Sequence, residues 1–264
     1  MQRRIDMIDD INFNQSIITI SSNRPIYVNE NKTIRETVDI FLKFDIRRLP
    51  VVDKKRKLVG IVTVTDIINA FLRDEKFDKK ISSIMNRPIF CYQNEKIKDV
   101  IKKFKFSKKG GFPVTDKNKT LVGIVTEHDI IDFLKQENIK IPIKEIMTEK
   151  PFFLKPMNFL DSLMLISNTG YRKFPVIEDN RIIGILTARQ CLGILKRANF
   201  SRKNINFNLK DAVIRDVPIF SDSDPISKLI DYTREYKVGG GLVIENNNLK
   251  GIVTERDILE KIII

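Results

Sequence analysis

Four copies of one eight-residue word divide the chain into units of similar length. The glycines of these copies are separated by steps of 63, 61 and 67 residues. The copies are VGIVTVTD at 59–66, VGIVTEHD at 122–129, IGILTARQ at 183–190 and KGIVTERD at 250–257. Self-similarity at a steady period indicates repeated supersecondary units that bury their apolar faces against one another. The chain is therefore predicted to fold as four like units.

Two further landmarks keep this period and give each unit one order of elements. A proline followed by apolar residues stands at 25, 88, 151 and 218. A second apolar strand reads LPVVD at 49–53, FPVTD at 112–116, FPVIE at 174–178 and GLVIE at 241–245. Between them, Thr33 and Glu36 match a capping box, and apolar residues follow at helical spacing. The sequence predicts β-α-β-β-α units and an α/β (α+β) fold class.

The repeats set the predicted domain boundaries. An N-terminal segment covers 1–23, and the four repeats cover 24–78, 79–138, 139–200 and 201–264. Because a unit of this size buries too little surface alone, we expect repeats 1 and 2 to form one module and repeats 3 and 4 another. The polar, proline-containing stretch 135–144 is predicted to be the linker between the modules.

Composition favours a folded protein with an anionic partner. Of the 264 residues, 42% are hydrophobic, and 47 Lys and Arg against 34 Asp and Glu leave a net charge of +13. This excess suits phosphates, nucleic acid or an acidic protein, although much of the lysine can simply solvate the surface. No apolar run is long enough for a membrane span, and the start lacks a signal-peptide pattern. Cys91 and Cys191 favour a reduced, cytoplasmic protein, with a disulfide between them as the alternative.

Each word places a threonine at the junction of strand and helix, with Asp or Gln three residues later. Capping alone explains this spacing, because both side chains satisfy free amides of the first helical turn. A carboxylate there repels phosphate from the helix N-terminus. Its two oxygens nevertheless suit the hydroxyls of a ribose. The residues leave both roles open.

The motifs together carry a family resemblance. The segments IMNRP at 84–88 and IMTEKP at 146–151, the PVVD-type strand and the Gly-apolar-apolar-Thr-x-x-Asp word occur in order along nearly the whole chain. The chain resembles proteins with four cystathionine β-synthase (CBS) domains arranged as two Bateman modules. It also resembles the γ subunit of AMP-activated protein kinase and its stand-alone archaeal relatives. The resemblance implies binding of adenine nucleotides and energy sensing, and other family members bind S-adenosylmethionine or related adenosyl ligands.

The resemblance also implies site residues. In the family, the aspartate of the word holds the ribose hydroxyls and the threonine lies near the phosphate. By position, the implied ligand-binding residues are Thr63, Asp66, Thr126, Asp129, Thr187, Thr254 and Asp257. The third repeat departs from the pattern, because Gln190 is neutral and longer than aspartate, and we expect its site to be weak or empty.

The positions just before the second apolar strand alternate between cations and glycines. The phosphate-binding candidates of the odd repeats are Arg47, Arg48, Arg172 and Lys173. The even repeats carry Gly110, Gly111, Gly239 and Gly240. Cations bind phosphate by charge-assisted hydrogen bonds, and glycine allows a ligand to approach the backbone. We predict that the even repeat holds the nucleoside while the odd repeat reaches the phosphate, with tight turns and solvated cations as the alternative.

An adenine base needs an apolar slot and backbone partners. Besides those glycines, the candidate base contacts are Ile26, Ile89, Phe152, Ile219 and Val238. For any single apolar residue among them, packing in the core is the simpler explanation.

No catalytic motif or metal-binding pattern stands out. His128 is the only histidine, and a lone histidine without a partner argues for neither a metal nor a catalytic triad. We expect it to be exposed, with a position near a phosphate as the alternative. The protein is therefore predicted to be non-enzymatic and to have no catalytic cofactor.

Three functions remain, each with its own partner. The first is a cytoplasmic sensor that binds AMP, ADP or ATP, signals to a separate effector protein and can form a homodimer through its CBS modules. The second is nucleic-acid binding, suggested by the net charge but lacking an evident recognition motif. The third is sensing of S-adenosylmethionine, which gains nothing from paired arginines because it is a cation.

Overall fold

A computed structural model describes residues 12–134, 139–171, 173–179, 181–205, 207–236, 239–246 and 248–263. Its α-helices are Ile34–Phe44 (α1), Val64–Leu72 (α2), Ile97–Ser107 (α3), Glu127–Phe133 (α4), Phe159–Thr169 (α5), Ala188–Arg197 (α6), Ile226–Tyr236 (α7) and Glu255–Ile258 (α8). Its strands are Val28–Asn29 (β1), Arg48–Val52 (β2), Leu58–Thr63 (β3), Cys91–Tyr92 (β4), Gly111–Thr115 (β5), Leu121–Thr126 (β6), Thr148–Glu149 (β7), Lys173–Glu178 (β8), Arg181–Thr187 (β9), Ile219–Phe220 (β10), Gly240–Glu245 (β11) and Asn248–Thr254 (β12). A π-helical turn, Leu259–Ile263, follows α8.

Each repeat builds a small mixed sheet with helices on it, as the sequence predicts. In repeats 1, 2 and 4 the short first strand runs parallel to the second, which pairs antiparallel with the strand of the word. In repeat 3 an isolated parallel bridge between Leu154 and Val176 replaces the first pairing. The predicted fold class and the β-α-β-β-α order are confirmed.

Local sequence signals determine where the helices begin. Thr33 caps α1 with a complete capping box, because its hydroxyl accepts from the Glu36 amide while the Glu36 carboxylate accepts from the Thr33 amide. The helix then buries Ile34, Val38 and Phe41 on one face. This spacing of three and four residues is that of an amphipathic helix packed on a core.

The chain forms two compact units that combine alternate repeats. One contains Ile26–Pro88 and Phe152–Val217, the bodies of repeats 1 and 3. The other contains Ile89–Pro151 and Pro218–Ile264, the bodies of repeats 2 and 4, together with residues up to Pro25. We refer to these as the odd unit and the even unit.

The odd unit is held by one core drawn from both of its repeats. Helix α2 packs on α5 and α6, and α1 also contacts α6. Phe41 and Ile67 from repeat 1 and Phe159 and Leu195 from repeat 3 are fully or almost fully buried in the same cluster. Shared burial explains why repeats distant in the chain form one compact body.

The even unit has the corresponding helical contacts, in which α4 packs on α7 and α8. Ile131 of repeat 2 is buried in one cluster with Phe220, Leu229 and Ile258 of repeat 4. A neighbouring cluster covers the sheet of repeat 2 and includes the fully buried Phe112.

The residues that precede each proline cross to the other repeat of the predicted pair. We call these crossing segments. Four backbone bridges, two in each unit, define them: Ser22 to Ile124 and Thr148 to Ile252 in the even unit, and Asn86 to Ile61 and Ile214 to Ile185 in the odd unit. Each bridge joins the segment leading into one repeat to the word strand of its neighbour, so repeats 1 and 2 exchange segments, as do repeats 3 and 4.

These exchanges run across the contiguous boundaries drawn from the sequence, which stay a prediction. Residues 81–86, assigned to repeat 2, complete the sheet and core of repeat 1, and Ile17 from the N-terminal segment is buried in the core of repeat 2. The grouping of repeats 1 with 2 and 3 with 4 into modules stays a prediction.

The expected linker is also more structured than its composition suggests. Residues 135–138 lie outside the described residues. Ile139 and Ile143 beyond them are buried, and the carbonyls of Ile139 and Ile141 accept from amides of α7. This half of the stretch is therefore part of the core of the even unit.

Both cysteines are free and buried, which removes the disulfide alternative. Burial raises the pKa of Cys91 to about 12 and raises the pKa of Cys191 as well. These thiols are therefore protonated packing residues. Among the described residues, no helix combines the length and apolar character needed to cross a membrane.

Candidate functional site

The hairpin register brings the two sequence signals of each repeat together. The residue that begins the second strand pairs with the threonine that ends the word strand. The pairs are Arg48 with Thr63, Gly111 with Thr126, Lys173 with Thr187 and Gly240 with Thr254. The alternating cation or glycine therefore lies beside the start of the helix that follows the word.

The preceding loop residue is held at the same place by a backbone hydrogen bond. The first helical amides of α2, α4 and α8 donate to the carbonyls of Arg47, Gly110 and Gly239, at distances of 3.1, 3.4 and 3.5 Å. Arg172 and Val238 lie outside the described residues. The other members of the phosphate and glycine set flank helix starts whose first amides are already engaged by the caps and by these loop carbonyls.

The threonines and aspartates form caps, as one of the two sequence interpretations requires. In repeat 2, the amide and hydroxyl of Thr126 donate to Oδ2 of Asp129 at 2.6 and 2.7 Å. In repeat 4, the amide and hydroxyl of Thr254 donate to Oδ2 of Asp257 at 2.8 and 2.6 Å. Thr63 and Asp66 form the same box. The cap uses Oδ2 of each aspartate. Oδ1 therefore remains able to accept hydrogen bonds from neighbouring groups.

Side chains of the crossing segments determine which hydrogen-bond donors reach Oδ1 of each capping aspartate. Asn86 donates its side-chain amide to Oδ1 of Asp66 at 2.8 Å, and Thr148 donates its hydroxyl to Oδ1 of Asp257 at a longer 3.4 Å. Among the described residues, no side chain donates to Oδ1 of Asp129. The oxygen of Asp129 is thus the most open of the three, and that of Asp257 is weakly engaged.

Burial makes two of these carboxylates unusual. Desolvation by burial raises the pKa of Asp129 and of Asp257, against the lowering effect of their capping threonines. A partly desolvated carboxylate with an unused lone pair gains more from hydroxyl donors than a solvated one does. Hydroxyl recognition therefore favours the two sites of the even unit.

Repeat 3 departs from this arrangement at both contributing positions. Gln190 takes the place of aspartate, and among the described residues its side chain hydrogen-bonds with the capping Thr187 alone. The crossing segment supplies Ile214, where the other repeats have Ser22, Asn86 and Thr148. Repeat 3 therefore lacks both the carboxylate and a polar crossing residue, and its weak or empty site stays a prediction.

Three of the four strand-entrance candidates for the base are exposed, which corrects the simpler expectation of core packing. Ile89, Phe152 and Ile219 are 44, 51 and 61% exposed. Ile26 is half-buried against the core of the odd unit. Short strands that present apolar side chains to solvent provide surface that a flat ligand can cover.

Gly240 is required by its backbone. Its φ of +138° lies in a region that L side chains rarely adopt, and an added Cβ would lie 2.3 Å from the carbonyl oxygen of Val253. The tight loop beside Thr254 therefore exists only with glycine, as the interpretation based on close approach and the one based on a tight turn both require.

A pair of crossed ion pairs joins the two helix starts of the even unit. His128 Nδ1 lies 2.8 Å from Glu255 Oε1, and Arg256 Nε donates to Glu127 Oε1 at 2.8 Å. Both glutamates are buried, with 7 and 5% of Glu127 and Glu255 exposed. The sequence suggested an exposed histidine. The structure makes it half-buried and ion-paired, because α8 is brought against α4 only by tertiary packing.

His128 should make stability depend on pH. Its hydrogen bond to Glu255 raises its pKa above 6.5. Because the folded pKa is the higher one, the ion pair stabilises fully below pH 6.5, and this contribution is lost as pH rises through the folded pKa. His128→Gln should lower the free energy of unfolding by about 1 kcal/mol or less at pH 6, and by less at pH 9. Urea unfolding at both values measures this difference.

Other charged groups face His128, so the comparison needs a matched control. Asp129 and Asp132 lie on its own helix, and Asp231, Arg234 and Glu235 of α7 line the same cavity of about 560 Å³. Arg189 holds the corresponding position in the odd unit, where it pairs with Asp45 at 2.7 Å. Arg189→Gln should show no difference between pH 6 and pH 9. An equal pH effect in both variants would contradict the assignment.

Comparison with known proteins places four matches on the four repeats. The family model described as the CBS domain matches residues 17–73, 81–136, 143–197 and 209–264. Protein MJ1225 of Methanocaldococcus jannaschii is 26% identical over 92% of this chain and 98% of its own length. A 33.4 kDa protein in the ribosomal RNA operon of Thermofilum pendens is 25% identical over 82% of this chain and 81% of its own.

Solved structures share the fold over nearly the same length. The crystal structure of MJ1225, a protein proposed as an archaeal homolog of g-AMPK, has a TM-score of 0.85 at 24% identity and covers 93% of this chain and 99% of that one. A conserved protein from Pyrococcus horikoshii has a TM-score of 0.61 at 21% identity, over 93% and 98%. At these identities the likeness shows the architecture of the chain.

Proposed function

The chain belongs to the CBS domain family, whose paired domains act as regulatory ligand sensors, and we propose that it senses adenine nucleotides. In this proposal AMP, ADP or ATP binds beside the words, and the occupied protein signals to a separate effector. The protein itself catalyses no reaction. Membership of the family supports regulatory ligand binding, and adenine nucleotides are the class of ligand that we assign to this chain.

The observation that carries this proposal is the environment of Asp129 and Asp257. Each carboxylate is half-buried, and its Oδ2 accepts hydrogen bonds from the capping threonine. Oδ1 of Asp129 accepts from no side chain of the described residues, and Oδ1 of Asp257 accepts one long hydrogen bond from Thr148. A ribose offers two neighbouring hydroxyl donors to such an oxygen. Glycines stand beside both threonines in the hairpin register, so this position carries no side chain that could cover the helix start.

Charge separates adenine nucleotides from other adenosyl ligands. The odd repeats carry Arg47, Arg48 and Lys173 beside their helix starts, and these cations suit a phosphate. Arg172 belongs to the same sequence pattern. S-adenosylmethionine is cationic at sulfur and gains nothing from these groups. Discrimination among AMP, ADP and ATP is assigned to the same cations, since these ligands differ in phosphate charge.

Isothermal titration with AMP tests the proposal. Asp129→Ala and Asp257→Ala should each remove one binding event, since each removes the acceptor of the ribose hydroxyls. Each change also costs a cap, worth about 1 kcal/mol of stability. Glu36→Ala is the matched control, because it breaks the capping box of α1 away from these words. It should leave the stoichiometry unchanged.

Two results would overturn the proposal. Unchanged stoichiometry in both aspartate variants would reduce the repeated Asp to a helix cap. Absence of heat with millimolar AMP, ADP and ATP, together with binding of S-adenosylmethionine, would assign the protein to a different ligand. A thermal-shift measurement under the same conditions provides an independent readout.

A further inference from the structure

Helix α3 differs in charge from its three counterparts. The corresponding helices α1, α5 and α7 carry mixed or sparse charges, with sequences IRETVDIFLKF, FLDSLMLISNT and ISKLIDYTREY. Helix α3 reads IKDVIKKFKFS and has four lysines against one aspartate. Its apolar face, Ile97, Val100, Ile101 and Phe104, is buried as in the other repeats, so the excess charge is confined to the outer face.

Three of these lysines and Lys109, the second lysine after the helix, form a stripe. Lys98, Lys102 and Lys105 follow one another at spacings of four and three residues, which places them along one side of the helix, and the exposed Lys109 follows just beyond the helix end. Lys102 faces Asp99 at 3.7 Å. Within the described ranges, no carboxylate forms an ion pair with the other three. We call these four lysines and Phe106 the lysine stripe.

Phe106 stands beside the stripe and is 82% exposed. Its counterparts in α1, α5 and α7 are the polar residues Lys43, Asn168 and Glu235. The fold therefore does not require an aromatic residue at this position. In the described part of the chain, Phe106 contacts no other ring and receives no cation above its face, so both faces of the ring are available.

We propose that the lysine stripe binds single-stranded nucleic acid. Lysine contacts phosphate as a point charge, and an exposed aromatic ring among such cations gives an unpaired base a surface on which to stack. Lysine is depleted from protein–protein interfaces, which makes an acidic protein the poorer fit. A duplex keeps its bases stacked inside, where Phe106 cannot reach their faces, so the ring favours a single strand.

Fluorescence anisotropy with a labelled 12-nucleotide single strand of mixed sequence tests this inference on the full chain. Four phosphate contacts give a slope of about −3 for the logarithm of the binding constant against that of salt concentration. Lys98→Glu, Lys102→Glu and Lys105→Glu together should weaken binding at least tenfold and bring the slope to about −1. Phe106→Ala should weaken binding about tenfold and leave the slope unchanged, because it removes a stack and no charge.

A charge-matched control separates the stripe from the overall charge of the chain. Lys54, Lys55 and Lys203 are exposed and belong to the odd unit. Their combined change to glutamate removes the same charge and should alter affinity less than threefold. An equal loss in this control would overturn the assignment to α3.

Three competitors decide the class of the partner. Equal binding of the duplex would show that Phe106 does not stack on a base and would contradict the proposal. Competition by polyglutamate of equal charge as strong as that by the oligonucleotide would assign the stripe to acidic proteins. Equal retention on vesicles of anionic phospholipid would assign it to membranes. Circular dichroism of each variant checks that the fold is intact.

Discussion

Arg256→Met is expected to destabilise the even unit by about 3 kcal/mol, because it removes the cation that faces a buried carboxylate at this junction. Arg256 donates to Glu127 through Nε and to the carbonyl of Lys108 through a terminal nitrogen, at 2.8 and 2.9 Å. Methionine replaces the volume of the aliphatic stem but neither contact. Glu127 is buried and would keep its charge in an environment that solvates it poorly. Urea unfolding at pH 7.5 measures the loss.

The odd unit provides the matched control for this prediction. Val64 and Ala188 hold the positions of Glu127 and Glu255 there, and both are buried in the core. The double change Glu127→Val and Glu255→Ala gives the even unit the same apolar residues at these two positions. Its cost should be smaller than that of Arg256→Met, because both buried carboxylates are removed together with the cost of desolvating them. If the double variant is the less stable one, the ion pairs are not the dominant interaction at this junction.

Gly184→Ala is expected to cost at least about 3 kcal/mol, since an added Cβ must displace backbone. The Cβ would lie 2.2 Å from the carbonyl oxygen of Ile214 and 3.0 Å from its carbonyl carbon. That carbonyl accepts from the Ile185 amide, so the crossing segment of repeat 4 would have to leave the sheet edge. Thermal unfolding monitored by circular dichroism measures the effect.

Two other glycines show whether close approach is the cause. At Gly60 the nearest atom is the sulfur of Met85 at 2.4 Å, and a flexible side chain can move aside. Gly60→Ala should therefore cost less than Gly184→Ala. Gly193 lies within α6, where an added Cβ meets only Arg197 at 3.9 Å, so Gly193→Ala should stabilise by about 0.5–1 kcal/mol. Equal losses at Gly60 and Gly184 would show that the clash with the Ile214 backbone carbonyl is not the cause of the loss at Gly184.

The local elements could be read from the sequence because their signals are local. The capping box of Thr33 and Glu36 starts α1, the words form the third strand of each repeat, and their threonines cap the helices that follow. Four copies in register predicted the CBS architecture, and the family match confirms it. The register of Gly111 with Thr126 also follows from the length of each hairpin.

The contacts between repeats could not be read in this way. His128 looked like an isolated polar residue because its partner Glu255 lies 127 positions away. Asn86 and Thr148 belong to the segments IMNRP and IMTEKP, yet their contacts with Asp66 and Asp257 depend on the crossing of the segments. The sequence signal for these contacts is the polarity of the residue in each crossing segment that pairs with the word strand. It is present in three repeats and lost with Ile214 in the repeat that lost its aspartate.

The sequence by itself determined four β-α-β-β-α repeats, the helix caps and the positions at which cations and glycines alternate. These features can be predicted from the sequence because their hydrogen bonds and periodicities span only a few residues and therefore leave a pattern at fixed spacing. Tertiary structure alone decided that the bodies of alternate repeats share a core and that segments cross within each unit. It also decided that two buried glutamates find cations on another helix. Burial and charge pairing depend on which surfaces meet in space, and neighbouring residues in the chain do not encode that meeting.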